Sequence, residues 1–229
     1  MLKVIDVIIP AFNEENAVGK VVNAIPKNLV RDIIVVDNNS SDQTCKQASS
    51  AGAIVLKQHI QGYGAACLKG MDFIHGKTIK PNIIVFLDAD YSDHPEELPQ
   101  LVEPIIEESA DMVIGSRSLG NREKGSMTFP QRFGNRLATV LLKLIYGYKF
   151  TDLGPFRAIR YDRLVELGMS DMNYGWTIEM QIKAAKRNLT CVEVPVKYRV
   201  RIGESKVSGT VKGAFLAGYK IILTLFRYA

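Results

Sequence analysis

Two aspartates, Asp88 and Asp90, stand on either side of one small residue where a β-branched, apolar run ends. Alternate side chains of an extended segment point to the same face, so we expect both carboxylates on one side of the chain. Two close carboxylates repel each other unless a cation lies between them, and Mg²⁺ favours oxygen ligands that it shares with substrate phosphates. The pair therefore indicates a divalent-cation site. The alternative is a strand-to-helix turn in which the aspartates cap a helix over residues 95–108.

Polar residues also follow the other apolar runs in the first half of the chain. They occupy residues 10–15, 37–42, 61–64 and 115–117. Such residues are common in any turn, but ligands of open α/β sheets bind beyond the carboxyl ends of the strands. Gly62 and Gly64 would also let the backbone approach a ligand closely. Polar ends gathered at one sheet edge therefore predict a binding site there.

The elements that position these residues alternate between strands and helices. Runs that are apolar on both faces predict buried parallel strands at residues 4–9, 33–36, 53–56, 83–87 and 112–114. Helices are predicted between and after them at residues 15–24, 42–50, 64–74 and 95–108. This rhythm predicts an open α/β sheet, and a length of 229 residues suits one large domain or two very small ones.

Composition and missing motifs exclude several classes of protein. The hydrophobic share of 47% and the charged share of 23% are typical of globular proteins, not of disordered ones. No G-x-G-x-x-G follows the first strand and no P-loop occurs, which argues against a dinucleotide oxidoreductase and a P-loop NTPase. The three cysteines and three histidines are scattered and match no zinc spacing. Without a long apolar run or a signal peptide, the chain is expected to be cytoplasmic.

The charge is distributed unevenly along the chain. Residues 1–111 contain 9 Lys and Arg against 16 Asp and Glu, whereas residues 112–229 contain 20 against 8. The second half therefore carries a net charge of +12, which indicates an anionic partner such as a phosphate or a membrane surface, or simply a solvated basic surface. No nucleic-acid-binding pattern is present, so we expect no nucleic-acid partner.

Several motifs together resemble the family 2 glycosyltransferases of GT-A fold. They are residues 7–15, residues 35–42, Asp88-Ala89-Asp90 and residues 115–117. Residues 175–180, 192–195 and 201–206 further resemble the dolichyl-phosphate mannose synthase branch, the polyprenyl-phosphate sugar synthases. The resemblance covers nearly the whole chain and implies a single GT-A domain over residues 1–229, an α/β fold with a mostly parallel central sheet flanked by helices. It implies a nucleotide-sugar donor, a divalent cofactor (Mg²⁺ or Mn²⁺), a donor-binding half at residues 1–117 and an acceptor-binding half at residues 118–229.

The resemblance also implies roles for individual residues. Asp37 would read the base, and Asn38 replaces the second aspartate common in the family, which leaves UDP and GDP donors both open. Asp90 would bind the metal with Asp88, and Ser92 stands at the position where the branch has a glutamine contact to the metal. The implied donor-binding set is Pro10, Ala11, Phe12, Glu14, Asp37, Asn38, Gly62, Gly64, Asp88, Ala89, Asp90, Arg117, Arg132 and Lys206.

The implied catalytic residues are Asp90, Arg117 and Glu179. Many relatives carry a Glu-Asp pair whose aspartate is the general base for an alcohol acceptor, but this chain has Glu179-Met180. A phosphate acceptor is already anionic near neutral pH and needs no base, so a polyprenyl phosphate is the expected acceptor. Two alternatives stay open: a hydroxyl acceptor with Glu179 as base, and a nucleotide-sugar-binding module without turnover. Glu179 could also simply pair with Lys183 on a helix.

Two apolar segments of the second half are flanked by cations. Residues 137–146 follow Arg132 and Arg136, and residues 214–226, expected to form an amphipathic C-terminal helix, are too short to span a bilayer. Each segment could lie in a membrane interface or pack on the sheet. Between them, residues 199–206 read as a basic loop able to close over a diphosphate. We therefore expect a peripheral protein at the cytoplasmic membrane face, with a small membrane-anchoring subunit as a possible partner.

Overall fold

A single seven-stranded sheet organises the chain in the computed structural model, which describes residues 3–203 and 211–228. The strands are β1 (Ile5–Ala11), β2 (Asp32–Asp37), β3 (Ile54–Lys57), β4 (Ile83–Phe86), β5 (Met112–Ser116), β6 (Arg157–Arg160) and β7 (Cys191–Pro195). The helices are α1 (Val18–Ala24), α2 (Thr44–Ser50), α3 (Tyr63–Gly76), α4 (Leu98–Ile106), α5 (Phe129–Tyr146), α6 (Tyr161–Leu167), α7 (Trp176–Lys186) and α8 (Val211–Arg227). A short 3₁₀ helix, Pro95–Glu97, precedes α4.

The sheet has the order β3-β2-β1-β4-β6-β5-β7 and is parallel except for β6. β6 runs antiparallel between β4 and β5. The predicted α/β architecture with a mostly parallel sheet is therefore confirmed, whereas β6 and β7 were not predicted as strands. The carboxyl ends of the parallel strands meet at one edge, as the site prediction requires.

Alternating strand residues supply a hydrophobic core on each face of the sheet. On one face, Ile8, Ile34 and Ile84 pack with residues of α3, α5, α7 and α8. On the other, Val7 and Val35 pack with residues of α1, α2 and α4. Both faces of the central strands are buried, which explains why their sequences are apolar throughout rather than alternating.

Three helices start later than predicted: α1 and α2 each follow a turn, and α4 begins at Leu98 because Pro95–Glu97 form the 3₁₀ helix. The Glu14 carbonyl accepts hydrogen bonds from Ala17 and Val18, so α1 begins at Val18 instead of residue 15. The Asp42 carboxylate accepts from the Thr44 amide and hydroxyl, which makes residues 42–44 a turn ahead of α2. No helix of the described residues is both long and apolar enough to cross a membrane.

Candidate active site

Two adjoining cavities open at the carboxyl edge of the sheet. The first, called here the strand-edge cavity, has a volume of about 380 Å³. The second, the helix-side cavity, has a volume of about 330 Å³ and lies between the sheet edge, α5 and α8. Five residues line both cavities: Tyr63, Asp88, Asp90, Tyr174 and Arg201. The acidic pair predicted from the sequence therefore lies at the junction of two binding spaces.

The two aspartates of the pair differ in their surroundings. One oxygen of Asp90 accepts hydrogen bonds from the Ser92 amide at 2.9 Å and the Ser92 hydroxyl at 2.6 Å. Oδ1 of Asp88 is buried and has no hydrogen-bond partner among the described residues. Burial, followed by the negative charge of Asp90, raises the pKa of Asp88 to about 6. Neither aspartate caps the following helix, so the capping alternative is not what the structure shows.

A guanidinium group already lies against this pair. Arg201 places Nη1 3.2 Å from Oδ2 of Asp90 and donates a hydrogen bond through Nη2 to Glu14. Its segment is held over the acidic turn by two backbone bonds, from Ile202 to the Asp90 carbonyl and from Arg199 to the Ser92 carbonyl. The geometry shows that the edge attracts a cation.

The acidic pair fits a divalent metal ion. Two carboxylates, one with an unpartnered oxygen, offer the hard ligands that Mg²⁺ and Mn²⁺ accept. Within the described residues no cluster of three His, Cys, Asp or Glu side chains could enclose a metal. Asp88 and Asp90 would therefore hold such an ion with coordination positions left for substrate phosphates and water. Ser92, the third predicted ligand, uses its hydroxyl hydrogen on Asp90.

Arg117 lies on the wall of the helix-side cavity in a fixed orientation. Its Nε and Nη2 donate to the two oxygens of Asp152 at 2.9 and 2.6 Å, and its guanidinium stacks on the Tyr198 ring at 5.0 Å. Asp152 is fully buried, and its backbone is held in turn by Glu193 and Gln181. Because both members of this ion pair are held in place, the Arg117 side chain keeps one rotamer, with its guanidinium at the cavity wall.

The strand-edge cavity contains most of the predicted donor-binding residues. Lining it are Pro10, Ala11, Phe12, Glu14, Asn38, Gly62, Asp88, Ala89 and Asp90. The Asn38 amide group donates to the carbonyls of Gln58 and Ile60, and its oxygen accepts from the Gly62 amide. Asn38 therefore shapes the cavity wall by tying residues 58–62 to the end of β2.

Four predicted donor-binding residues lie elsewhere or outside the described chain. Asp37 is buried behind the cavity, where it accepts from the Ser40 amide at 3.3 Å. Gly64 lines neither cavity and lies against the segment at Asp171, whose carbonyl oxygen would be 1.9 Å from a Cβ at this position. Arg132 is exposed on α5, while its neighbours Gln131 and Asn135 line the helix-side cavity. Lys206 lies outside the described residues.

Glu179 is occupied by structural hydrogen bonds. Its fully buried carboxylate accepts from the amides of Ser170 and Asp171, from the Tyr228 hydroxyl and from Lys183, whose Nζ lies 2.7 Å away. It lines neither cavity. These donors, opposed by burial, lower the pKa of Glu179 below its ordinary value. The ion pair with Lys183 is thus present, and the catalytic role of Glu179 stays a prediction without geometric support.

Several site residues were missed by sequence reasoning. Asp152, Gln131, Asn135, Tyr174 and Tyr198 lie in or directly behind the cavities, on segments separated by up to 67 positions. The one available signal was the polar, glycine-containing stretch 151–154, which precedes β6 as a turn would. The tyrosines offered none, because exposed and cavity-lining aromatics look alike in a sequence.

Comparison with known proteins places this geometry in a family. The model of glycosyl transferase family 2 matches residues 6–167. An uncharacterized protein of Methanocaldococcus jannaschii is 33% identical over 96% of this chain and 89% of its own length. The undecaprenyl-phosphate mannosyltransferase of Micrococcus luteus is 30% identical over 90% of this chain and 88% of its own length.

Among solved structures, glucosyl-3-phosphoglycerate synthase of Mycobacterium tuberculosis has the same fold. Its complex with Mn²⁺, UDP and glucosyl-3-phosphoglycerate matches with a TM-score of 0.77 and 24% identity, covering 99% of this chain and 80% of that one. The GT-A architecture predicted from the motifs is thereby confirmed, as is the resemblance on which it rested. With the family model matching most of the chain and relatives aligned over nearly all of it, this protein belongs to glycosyl transferase family 2.

Proposed function

We propose that the protein transfers a sugar from a nucleotide sugar to the phosphate of a polyprenyl phosphate, with inversion at the anomeric carbon. One observation carries the choice of acceptor. Among the described residues that line the helix-side cavity, Asp88 and Asp90 are the only carboxylates and no histidine occurs. A hydroxyl acceptor would need a general base there, whereas a phosphate monoester carries its own negative charge, with a second pKa of about 6.

The strand-edge cavity suits the donor. Its wall combines the backbone at residues 10–12 and 61–62 with the carboxylate of Glu14 and the side-chain oxygen of Asn38, which can accept hydrogen bonds from a base and a ribose. The cavity ends at Asp88 and Asp90, where the donor diphosphate would lie. A divalent ion bound there supplies positive charge to the departing diphosphate. The Mn²⁺ and UDP bound by the mycobacterial synthase support this assignment.

The helix-side cavity suits the acceptor. Arg117 and Arg201 provide positive charge beside the acidic pair, and Met127, Leu153 and Ile221 extend the cavity with apolar surface. An acceptor phosphate oxygen forms a bond to the anomeric carbon while the bond from that carbon to the donor diphosphate breaks. Arg117, held by Asp152, orients the attacking phosphate, and attack from the side opposite the leaving group inverts the centre. The undecaprenyl-phosphate acceptor in the name of the Micrococcus relative supports the lipid class.

A paired-acceptor assay tests this proposal. The protein, Mn²⁺ and a panel of UDP- and GDP-sugars are incubated with a short polyprenyl phosphate or with the matching polyprenol, and released nucleoside diphosphate is measured. We expect release with the phosphate only, and loss of at least 100-fold in Asp90→Asn, because that change removes a metal ligand. The exposed Asp72→Asn on α3 is the control and should transfer normally.

Three outcomes would overturn the proposal. Equal release with the polyprenol would favour a hydroxyl acceptor. Loss of transfer in Glu179→Gln at a temperature where that variant remains folded would favour Glu179 as a base. Tight binding of a nucleotide sugar without release on any acceptor would indicate a binding module.

A further inference from the structure

The solvent face of α5 carries a continuous apolar stripe. Phe129, Phe133, Leu137, Val140 and Leu144 are between 36% and 74% exposed. At about 100° per residue, these five positions fall within an arc of about 80°. Opposite the stripe, the same helix buries Ala138 and Leu142 in the core. Among the described residues, these exposed side chains are therefore not part of the packed core.

Cations run along one side of this stripe. Arg132, Arg136 and Lys143 are exposed and fall within an adjoining arc of about 40° on the same helical projection. The face of α5 is thus half apolar and half basic. Protein–protein interface cores are depleted in charge, whereas helices at a bilayer surface combine Phe and Leu with Lys and Arg in this manner.

Helix α8 carries a second stripe of the same kind. Tyr219, Ile222, Leu223 and Phe226 are between 36% and 61% exposed and follow a spacing of three, one and three residues. α8 packs on α5, and the Tyr146 hydroxyl donates to the Leu225 carbonyl near the ends of the two helices. Among the described residues, nine of the seventeen large hydrophobic side chains that are exposed lie on this pair, so the apolar surface is concentrated.

The same two helices form a wall of the helix-side cavity. Pro130, Gln131 and Gly134 of α5 line it together with Gly218 and Ile221 of α8. The apolar stripes and the cavity are therefore built on the same pair of elements, a few side chains apart. A surface that rested against lipid would bring lipid phosphates to the level of the cavity.

We propose that the exposed face of α5 and α8 docks on an anionic lipid bilayer. The apolar side chains enter the region between head groups and acyl chains, and Arg132, Arg136 and Lys143 lie among the lipid phosphates. The excess positive charge of residues 112–229 adds long-range attraction to such a surface. Docking does not depend on the proposed acceptor, because it needs only bulk lipid.

Vesicle co-sedimentation tests the surface without any acceptor or donor present. Wild-type protein is compared on neutral phosphatidylcholine vesicles and on vesicles containing phosphatidylglycerol. We expect strong binding to the anionic vesicles that weakens with salt. Phe133→Ser with Leu144→Ser should reduce binding at least tenfold, because each side chain loses its burial in lipid. Arg136→Gln with Lys143→Gln should reduce binding to anionic vesicles about tenfold and leave the weak binding to neutral vesicles unchanged.

A matched pair of exposed apolar residues elsewhere provides the control. Ile79→Ser with Val165→Ser removes side chains that are 68% and 48% exposed, and should bind vesicles as the wild type does. Phe133→Ser with Leu144→Ser should still transfer sugar to a short, soluble phosphate acceptor, which separates failure of docking from failure of the proposed function. The proposal would be overturned if the wild type did not bind vesicles. It would also be overturned if the control variant lost as much vesicle binding as Phe133→Ser with Leu144→Ser. A dimer in sedimentation equilibrium that this stripe variant dissociates, without vesicle binding, would assign the face to a second copy instead.

Discussion

At the scale of single residues, Asp88 is the group whose protonation is most directly coupled to the site. Its pKa is raised to about 6 by burial and by Asp90, so folding favours its protonated form in the absence of metal. A carboxyl group with a raised pKa contributes stability below its unfolded pKa of about 4, and this contribution is lost as the pH rises through about 6. Metal binding needs the opposite, ionised form.

Asp88→Asn should therefore change the pH dependence of stability. In metal-free protein, the melting temperature of the wild type should fall relative to that of the variant as the pH rises from about 4 to about 7, because only the wild type must ionise a buried acid. Thermal unfolding across this pH range measures the difference. Mn²⁺ at pH 7 should raise the melting temperature of the wild type and not that of the variant. Parallel pH profiles for the two proteins would contradict the role given to Asp88.

Asp152 is a positioning residue for Arg117. Asp152→Asn removes the charge that fixes the guanidinium, so we expect kcat/KM to fall about 10- to 100-fold while the protein stays folded. Steady-state transfer kinetics together with thermal unfolding separate the two effects. Asp162→Asn is the matched control, since Asp162 pairs with Arg160 at 3.0 Å on the surface and lines neither the strand-edge nor the helix-side cavity. A loss of activity no larger than expected from a loss of folded protein would mean that Asp152 has only a structural role.

At the scale of elements, the start of α3 depends on a close approach to the segment 171–173. A Cβ at Gly64 would lie 1.9 Å from the Asp171 carbonyl oxygen, and one at Gly62 would lie 2.0 Å from the Met172 carbonyl oxygen. The Met172 carbonyl also accepts a hydrogen bond from the Ala65 amide. Tyr63 and Tyr174, which line both cavities, lie next to this contact along the chain.

Gly64→Ala should therefore destabilise the protein by about 1–3 kcal/mol, because the added methyl group overlaps a backbone atom. Gly76→Ala, at the other end of the same helix, meets no atom within 4 Å and should be neutral or slightly stabilising. Chemical denaturation of both variants measures the difference. Equal stabilities would show that the segment 171–173 can move away at little cost.

The elements that sequence reasoning found are those whose signal is local. β1, β2 and β4 are apolar on both faces, and the acidic pair directly follows one of them, so both could be predicted. β6 and β7 could not, because each contains a charged side chain, fully buried in β6 and partly buried in β7, with at least one partner in another segment. Arg157 of β6 donates to the carbonyls of Gly154 and Thr177, and Glu193 of β7 accepts from Thr151 and Asp152. Only the folded chain shows that these side chains are satisfied.

The same limit applies to the site. Asp88 and Asp90 were found from their spacing, but Arg201 reaches Asp90 across 111 positions and Asp152 reaches Arg117 across 35. Glu179 was predicted to be catalytic from its place in a motif, and its actual donors, Ser170 and Tyr228, come from other segments. Contacts made in tertiary structure decide which member of a motif faces a cavity.

At the scale of the whole molecule, the charge asymmetry follows the layout of the site. Residues before 91 supply most of the strand-edge cavity, and residues after 116 supply most of the helix-side cavity. The lining of the strand-edge cavity is thus net acidic, whereas Arg117 and Arg201 balance the two aspartates in the lining of the helix-side cavity. The predicted division into a donor half at residues 1–117 and an acceptor half at residues 118–229 agrees with this layout and stays a prediction.

Arg201 connects the two regions. In the absence of other ligands, its guanidinium bridges Glu14 and Asp90 across the junction. A divalent ion on Asp90 would compete with this guanidinium through charge repulsion. Donor binding would then release Arg201 towards the helix-side cavity, where the proposed acceptor phosphate lies.

The most direct measurement is anomalous diffraction at the manganese edge. One crystal is soaked with Mn²⁺ and UDP together, and a second crystal with Mn²⁺ and GDP together. We expect one strong peak within bonding distance of Asp90 and adjacent to Asp88, contact between that ion and the diphosphate, and Arg201 moved off Asp90. A structure in which the nucleotide occupies the strand-edge cavity while Arg201 stays on Asp90 and no peak appears there would contradict this expectation.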